Sequence, residues 1–231
     1  MLGSKAFEPN RDMDSPNRNI APISSEISDS GELVVGGCQL SELAKNYGTP
    51  LYVIDEFSLR TACKTYIHSL KKHYPGASLP LYASKANSSL AICSLIASEG
   101  FGLDAVSEGE LLTALNGGVK GEKIVFHGNN KSYDELNFAY KNNVTIVLDN
   151  HHDIELLKTI ASEKKQAKLM LRFTPGIECH THEYIRTGHL DSKFGFDPDV
   201  VKPVLEELKE YEWANLTGLH AHIGSQIFET Q

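Results

Sequence analysis

Six short apolar runs recur along this chain with helical segments between them, and that alternation narrows the fold more than any other feature. The runs are Leu-Pro-Leu-Tyr-Ala-Ser (79–84), Phe-Gly-Leu-Asp-Ala-Val (101–106), Lys-Ile-Val-Phe-His (123–127), Val-Thr-Ile-Val-Leu-Asp (144–149), Ala-Lys-Leu-Met-Leu-Arg-Phe (167–173) and Leu-Thr-Gly-Leu-His-Ala-His-Ile (216–223). The first five begin about 22 residues apart. Helical spacing fills the intervals at 90–99, 108–115, 132–140, 152–162 and 199–211. Parallel strands can be joined only by a connection that returns across a face of the sheet. Short strands alternating with helices therefore predict a parallel sheet with crossover helices.

An open doubly wound sheet and a closed (β/α)8 barrel both satisfy this pattern. No Gly-x-Gly-x-x-Gly follows the first strand, which counts against a dinucleotide-binding sheet. The strand ends carry Lys85, Asp104 with Ser107, His127, Asp149, Arg172, and His220 with His222 in succession. Barrel enzymes gather their chemistry at the C-terminal ends of several different strands. The expected fold is thus α/β, a (β/α)8 TIM-type barrel, incomplete at about six strand–helix units. A whole barrel takes about 250 residues, so the chain is expected to be part of a longer protein.

Ahead of the alternation the texture differs. Residues 1 to about 30 are rich in Ser, Asn, Asp and Pro without helix or strand period, which reads as a loosely held arm. A short helix is predicted over Leu40–Tyr47, closed by Gly48 before Pro50. Leu51–Asp55 reads as a strand, and Phe57–Lys72 as a helix with Leu59, Cys63, Tyr66, Ile67 and Leu70 on one face. The expected division is an N-terminal arm, 1–45, and a partial barrel, 46–231.

Lys85 sits between Ser84 and Ala86 where a strand hands over to a helix. Small neighbours leave room beside the amine. A lysine partly desolvated there has a lowered pKa and can form an imine; a surface lysine opening a loop is the plainer alternative. Asp104 lies inside an apolar strand, which a purely structural role explains poorly. Ser107 and Glu110 have the spacing of a helix capping box. His220 and His222 alternate along one strand and so face one side, where an imidazole can lie beside a ring-shaped ligand. Ile223-Gly224-Ser225 offers an amide and a hydroxyl suited to a phosphate oxygen. Cys179-His180-Thr181-His182-Glu183, with His189 beyond, invites a metal reading. Its spacing is not the i, i+4 pair of a helical metal site, and no metal is expected.

Composition excludes several partners. Lys and Arg number 22 against 30 Asp and Glu, for a net charge of −8, and no basic stripe points to nucleic acid. An anionic ligand would need a locally arranged site. Cys38, Cys63, Cys93 and Cys179 form no Cys-x-x-Cys pair and read as reduced thiols of a cytoplasmic protein. No apolar run approaches the roughly 20 residues needed to span a bilayer, so no membrane partner is expected. Glu8, Asp12 and Asp14 argue against an acid-poor transit peptide.

Six stretches between about Pro50 and Gln231 also carry a resemblance to a known family. They are Tyr-Ala-Ser-Lys-Ala-Asn (82–87), Asp-Ala-Val-Ser-Glu-Gly-Glu-Leu (104–111), His-Gly-Asn-Asn-Lys-Ser (127–132), Leu-Arg-Phe-Thr-Pro-Gly (171–176), Thr-Gly-His-Leu-Asp-Ser-Lys-Phe-Gly-Phe (187–196) and Gly-Leu-His-Ala-His-Ile-Gly-Ser-Gln (218–226). In this order the chain resembles the fold-type III pyridoxal-phosphate decarboxylases, barrels of the alanine racemase/ornithine decarboxylase type, and most closely the branch acting on meso-2,6-diaminopimelate. The resemblance implies pyridoxal 5'-phosphate as cofactor and L-lysine and CO2 as products. It implies that Lys85 holds the cofactor as a Schiff base and later moves protons, and that His222 stacks on the pyridine ring. Asp104 and Arg172 would line the pocket, Ser225 would approach the phosphate, and 182–193 would lie near a small amino-acid substrate. It also implies a homodimer in the full-length form, and a glycine-rich phosphate loop, a Glu-x-x-Gly-Arg segment and a C-terminal β domain beyond Gln231. On that basis the 231-residue chain alone is expected to be inactive and poorly soluble. Decarboxylases of ornithine, arginine or carboxynorspermidine, an alanine-racemase-type enzyme, a non-catalytic pyridoxal-phosphate-binding barrel and a zinc-binding module are the competing readings.

Overall fold

The structure, a computed structural model, describes residues 20–175 and 193–224. The chain forms two compact units, Met1–Ser78 and Leu79–Gln231.

In the first unit, β1 (Glu26–Ile27), β2 (Leu33–Val35) and β3 (Cys38–Gln39) make a three-stranded antiparallel sheet in that order. Val35 pairs with Cys38 across a two-residue turn of Gly36 and Gly37. Both glycines have positive φ, 58° and 78°, the backbone that a tight hairpin matching the strand twist requires and that only glycine adopts cheaply. Of the stretch read as a loosely held arm, 1 to about 30, Glu26–Ile27 lies in this sheet; β2 and β3 follow that stretch and were not expected as strands. Helix α1 (Leu40–Tyr47) falls where its spacing put it, and Gly48 ends it at φ 82°. Leu51–Asp55, predicted as a strand, belongs to no strand among the described residues. Tyr52 is 98% exposed, and Asp55 instead caps α2 (Glu56–His73), its carboxylate accepting from Ser58 N at 3.0 Å. A strand needs a neighbour to take its backbone hydrogen bonds; apolar side chains alone do not supply one.

The second unit is a six-stranded parallel sheet of β4 (Leu81–Ala83), β5 (Gly102–Ala105), β6 (Ile124–Phe126), β7 (Thr145–Leu148), β8 (Ala167–Arg172) and β9 (Ala214–His220). The strands lie side by side in strict chain order. A doubly wound sheet reverses its order at a switch point; this one never does, which is the barrel's progression, left open between β4 and β9 among the described residues. The crossovers are α3 (Leu90–Ser98), α4 (Glu108–Asn116), α5 (Tyr133–Lys141), α6 (His151–Ile160) and α7 (Pro198–Lys209). None of the described helices is long and apolar enough to cross a membrane.

The core lies between strands and helices. Leu103, Ile124, Phe126, Ile146, Leu148, Leu169 and Leu171 pack with Leu111, Leu136, Ile154 and Leu157, all fully buried. Alternation along β5 then turns Asp104, between buried Leu103 and Ala105, to the opposite face. Between β8 and β9 the register slips: Leu169 pairs with Leu216, but Met170 pairs with Gly218, leaving Thr217 as a bulge. Helix starts follow the sequence signals. Ser132 and Glu135 form a reciprocal capping box on α5. Ser107 caps α4, whereas Glu110 reaches one residue further back, accepting from Val106 N at 2.7 Å.

Close packing around glycine gives a stability prediction. A Cβ on Gly121 would fall onto the backbone carbonyl of Asn142, which cannot swing aside. On Gly109 it would meet nothing nearer than Ser107 Oγ at 4.0 Å. In denaturant unfolding, Gly121→Ala is expected to lose about 3 kcal/mol, and Gly109→Ala, inside α4, to be neutral or to gain up to about 1 kcal/mol. Equal effects would contradict the packing described.

Candidate active site

Because all six strands run the same way, their C-terminal ends share one edge of the sheet. Lys85 follows β4 in a single 3-10 turn, Ser84–Ala86. Asp104 projects from β5. His127 directly follows β6 and extends its pairing, donating from its backbone N to Ala105 O at 2.8 Å. Arg172 ends β8 and is the register partner of His220, which ends β9. These residues and His222 line one cavity of about 450 Å3, with Gly128, Asn129 and Phe194 on the same wall.

The interactions inside are specific. His127 Nε2 pairs with Asp104 Oδ1. The His127 ring meets His220 edge-on, with centroids 4.5 Å apart and planes at 64°. Arg172 is held three ways. Its Nη1 lies 3.5 Å from Asp149 Oδ1, its guanidinium stacks 4.4 Å over Phe194, and its carbonyl accepts from Phe196 N at 2.9 Å. Asp149 Oδ2 in turn accepts from Gly195 N at 3.1 Å. Gly195, at φ 77°, brings this turn so close that a Cβ would stand 3.1 Å from Arg172 Cγ.

Burial dominates the electrostatics. It pushes His220 down to about 4, with the charges of His127 and Arg172 adding and Asp104 opposing. Burial also lowers His222, helped by Arg172 and Lys85 and opposed by Asp104. It raises Asp149, against the Gly195 hydrogen bond and the Arg172 charge. Arg172 is lowered by burial, against Asp149 and Asp104, yet a guanidinium stays charged. At neutral pH the cavity thus presents the neutral rings of His220 and His222, one fixed guanidinium and the exposed Lys85 amine.

That donor set suits a ligand with an aldehyde, a flat ring and an anionic group. The volume lies in the usual range for small-molecule clefts, roughly 300–1,000 Å3. His220 Nδ1 is buried without a hydrogen-bond partner among the described residues, a polar atom left for something the cavity holds. Of the residues expected at the site, the fold brings together Lys85, Asp104, Arg172 and His222. Ser225 lies outside the described residues, as do Cys179, His180, His182, Glu183 and His189. His127 and Asp149 stood in the strand-end series without a role, and only the register shows what they touch. Phe194 carried no signal, since nothing local announces that a residue 22 positions after Arg172 returns to stack on it.

Fold and site together define an α/β barrel protein with a lysine-bearing small-molecule site at its strand ends. The family model described as pyridoxal-dependent decarboxylase, pyridoxal binding domain, matches residues 60–231. The chain belongs to that family. It is 49% identical over 226 residues to a diaminopimelate decarboxylase of Synechocystis sp., covering 94% of this chain and 48% of the relative. It is 44% identical over 213 residues to that of Bacillus subtilis, covering 89% and 48%. A crystal structure of the M. jannaschii diaminopimelate decarboxylase in co-complex with L-lysine superposes with a TM-score of 0.79 at 35% identity, covering 88% of this chain and 48% of that one. The chain spans about half the length of the curated relatives it matches.

The depressed His220 has a consequence for stability. Its ring is about 4 in the folded chain and 6.5 ordinarily, so between those values the unfolded chain binds the extra proton. Stability therefore falls as pH drops through that window. His220→Gln should remove this part of the loss, read from unfolding midpoints at neutral pH and mid-window. An unchanged drop would refute the assignment.

Proposed function

We propose that this chain carries the cofactor half of a decarboxylase that converts meso-2,6-diaminopimelate to L-lysine and CO2. The observation that carries the reading is the Lys85 amine sharing one cavity with Asp104, Arg172 and three imidazoles. Membership of the pyridoxal-dependent decarboxylases supports it, as do the names of the similar proteins. When bound, pyridoxal phosphate supplies an electron sink for the carbanion left by departing CO2.

The residues then divide the work. Lys85 Nζ would hold the cofactor as an imine and, during turnover, would return a proton to the substrate α-carbon. His222, kept neutral by burial and by the nearby cations, offers a flat face to the pyridine ring. Asp104, oriented by His127, would line the cofactor pocket. Arg172 supplies fixed positive charge in a chain whose net charge is negative. Ser225 is read as a donor to the phosphate. Residues 1–45 serve as an arm and 46–231 as the cofactor-binding part of a cytoplasmic homodimer.

The test is covalent trapping. The full-length protein with pyridoxal phosphate should show a visible band that borohydride bleaches, and peptide mapping should find the label on Lys85. Lys85→Ala should lose both the label and turnover of meso-2,6-diaminopimelate, the latter by about 10²–10⁴-fold. A label on another lysine, or one that persists in the variant, would sink the assignment.

A further inference from the structure

Behind the cavity wall sits a buried ion pair that the chemistry above does not use. Lys131 Nζ lies 2.7 Å from Asp153 Oδ2, and both side chains are only 1% exposed. Taking two charges out of water costs more than their attraction repays in many proteins, and an apolar pair of similar volume is often at least as stable. Stability alone therefore does not account for the pair; what it touches does. Lys131 Nζ also donates to Gly128 O at 2.5 Å. Asp153 Oδ2 also accepts from Asp149 N at 2.9 Å. Gly128 begins the cavity wall, and Asp149 holds Arg172.

A second bond spans the same two loops. Asn150 Nδ2 donates to Asn129 O at 3.0 Å, while Asn150 Oδ1 caps α6 by accepting from Asp153 N at 3.2 Å. Asn129 Nδ2 passes the constraint on to Lys193 O at 3.2 Å, beside the Phe194 that stacks on Arg172. The loops after β6 and β7 and the 193–195 turn thus form one hydrogen-bonded frame around the charged centre.

We propose that Lys131 and Asp153, with Asn150, are positioning residues: they fix the Gly128–Asn129 wall relative to the Asp149–Arg172 pair, and so set where the anionic group of a bound ligand meets Arg172. The inference rests on reading the cavity as the cofactor and substrate site. A misplacement of about 1 Å can cost around 10²-fold in rate, so a frame of this kind is felt in turnover before it is felt in folding.

The experiment compares three variants of the full-length protein with pyridoxal phosphate. Lys131→Met leaves a buried carboxylate unpaired and should lower the melting temperature and kcat together. The double variant Lys131→Met/Asp153→Leu removes both charges; it should melt higher than the single variant yet keep a kcat reduced about tenfold to 10²-fold. Asn150→Asp keeps the cap acceptor, loses the donor to Asn129 O and sets a carboxylate oxygen against that carbonyl. It should melt near the parent and still be labelled at Lys85 by borohydride, with kcat reduced about tenfold. Parental kcat in Asn150→Asp, or a double variant whose kcat recovers with its melting temperature, makes the pair structural and overturns the proposal. A parent not labelled at Lys85 overturns the cavity reading itself, and the inference with it.

Discussion

Parallel pairing fixes the direction of every strand, and the site depends on that constraint. Each crossover helix carries the chain back to the same starting edge, so each strand delivers its last residue to the same finishing edge. Lys85 and His222 are far apart in sequence, yet they line one cavity, each following a strand whose C-terminal end lies on the same edge of the parallel sheet. The core on the helix side gives the sheet its rigidity, with Leu103, Phe126, Ile146 and Leu169 fully buried. The opposite face is free to present polar groups, since packing density is already satisfied elsewhere.

Local electrostatics run against the global charge. A chain with a surplus of carboxylates assembles a pocket whose fixed charge is a guanidinium, by placing Arg172 where burial, Asp149 and Phe194 confine it. The same burial strips protons from His220 and His222, which sets neutral aromatic surface beside the guanidinium.

Much of this could be read from the residues. Strand and helix periods fixed the sheet to within one or two residues at most ends. The strand-end series contained Lys85, Asp104, Arg172 and His222, and the family resemblance picked those four out of it. Other features depended on contacts that no local period encodes. Leu51–Asp55 had strand composition, but strand pairing is decided by a partner elsewhere. The sheet from Glu26 to Gln39 was overlooked because its strands are two or three residues long, although Gly36-Gly37 was a turn signal in plain view. His127 and Asp149 were visible as polar strand ends, but their roles need the register that sets Asp104 beside one and Arg172 beside the other. Lys131 had no role assigned from the sequence; only tertiary structure shows it sealed from water.

The bulge at Thr217 has a meaning of its own. Even spacing along β9 would send Leu216, Gly218 and His220 to the same side. Leu216, however, pairs with Leu169 and packs on the helix-side core, whereas His220 pairs with Arg172 over the cavity. One unpaired residue inverts the phase of the strand midway, so a single ribbon serves the hydrophobic interior with its first half and the ligand with its second. For such a strand, one codon gained or lost upstream of the histidines matters more than most substitutions. It leaves every chemical group intact and turns all of them to the wrong side.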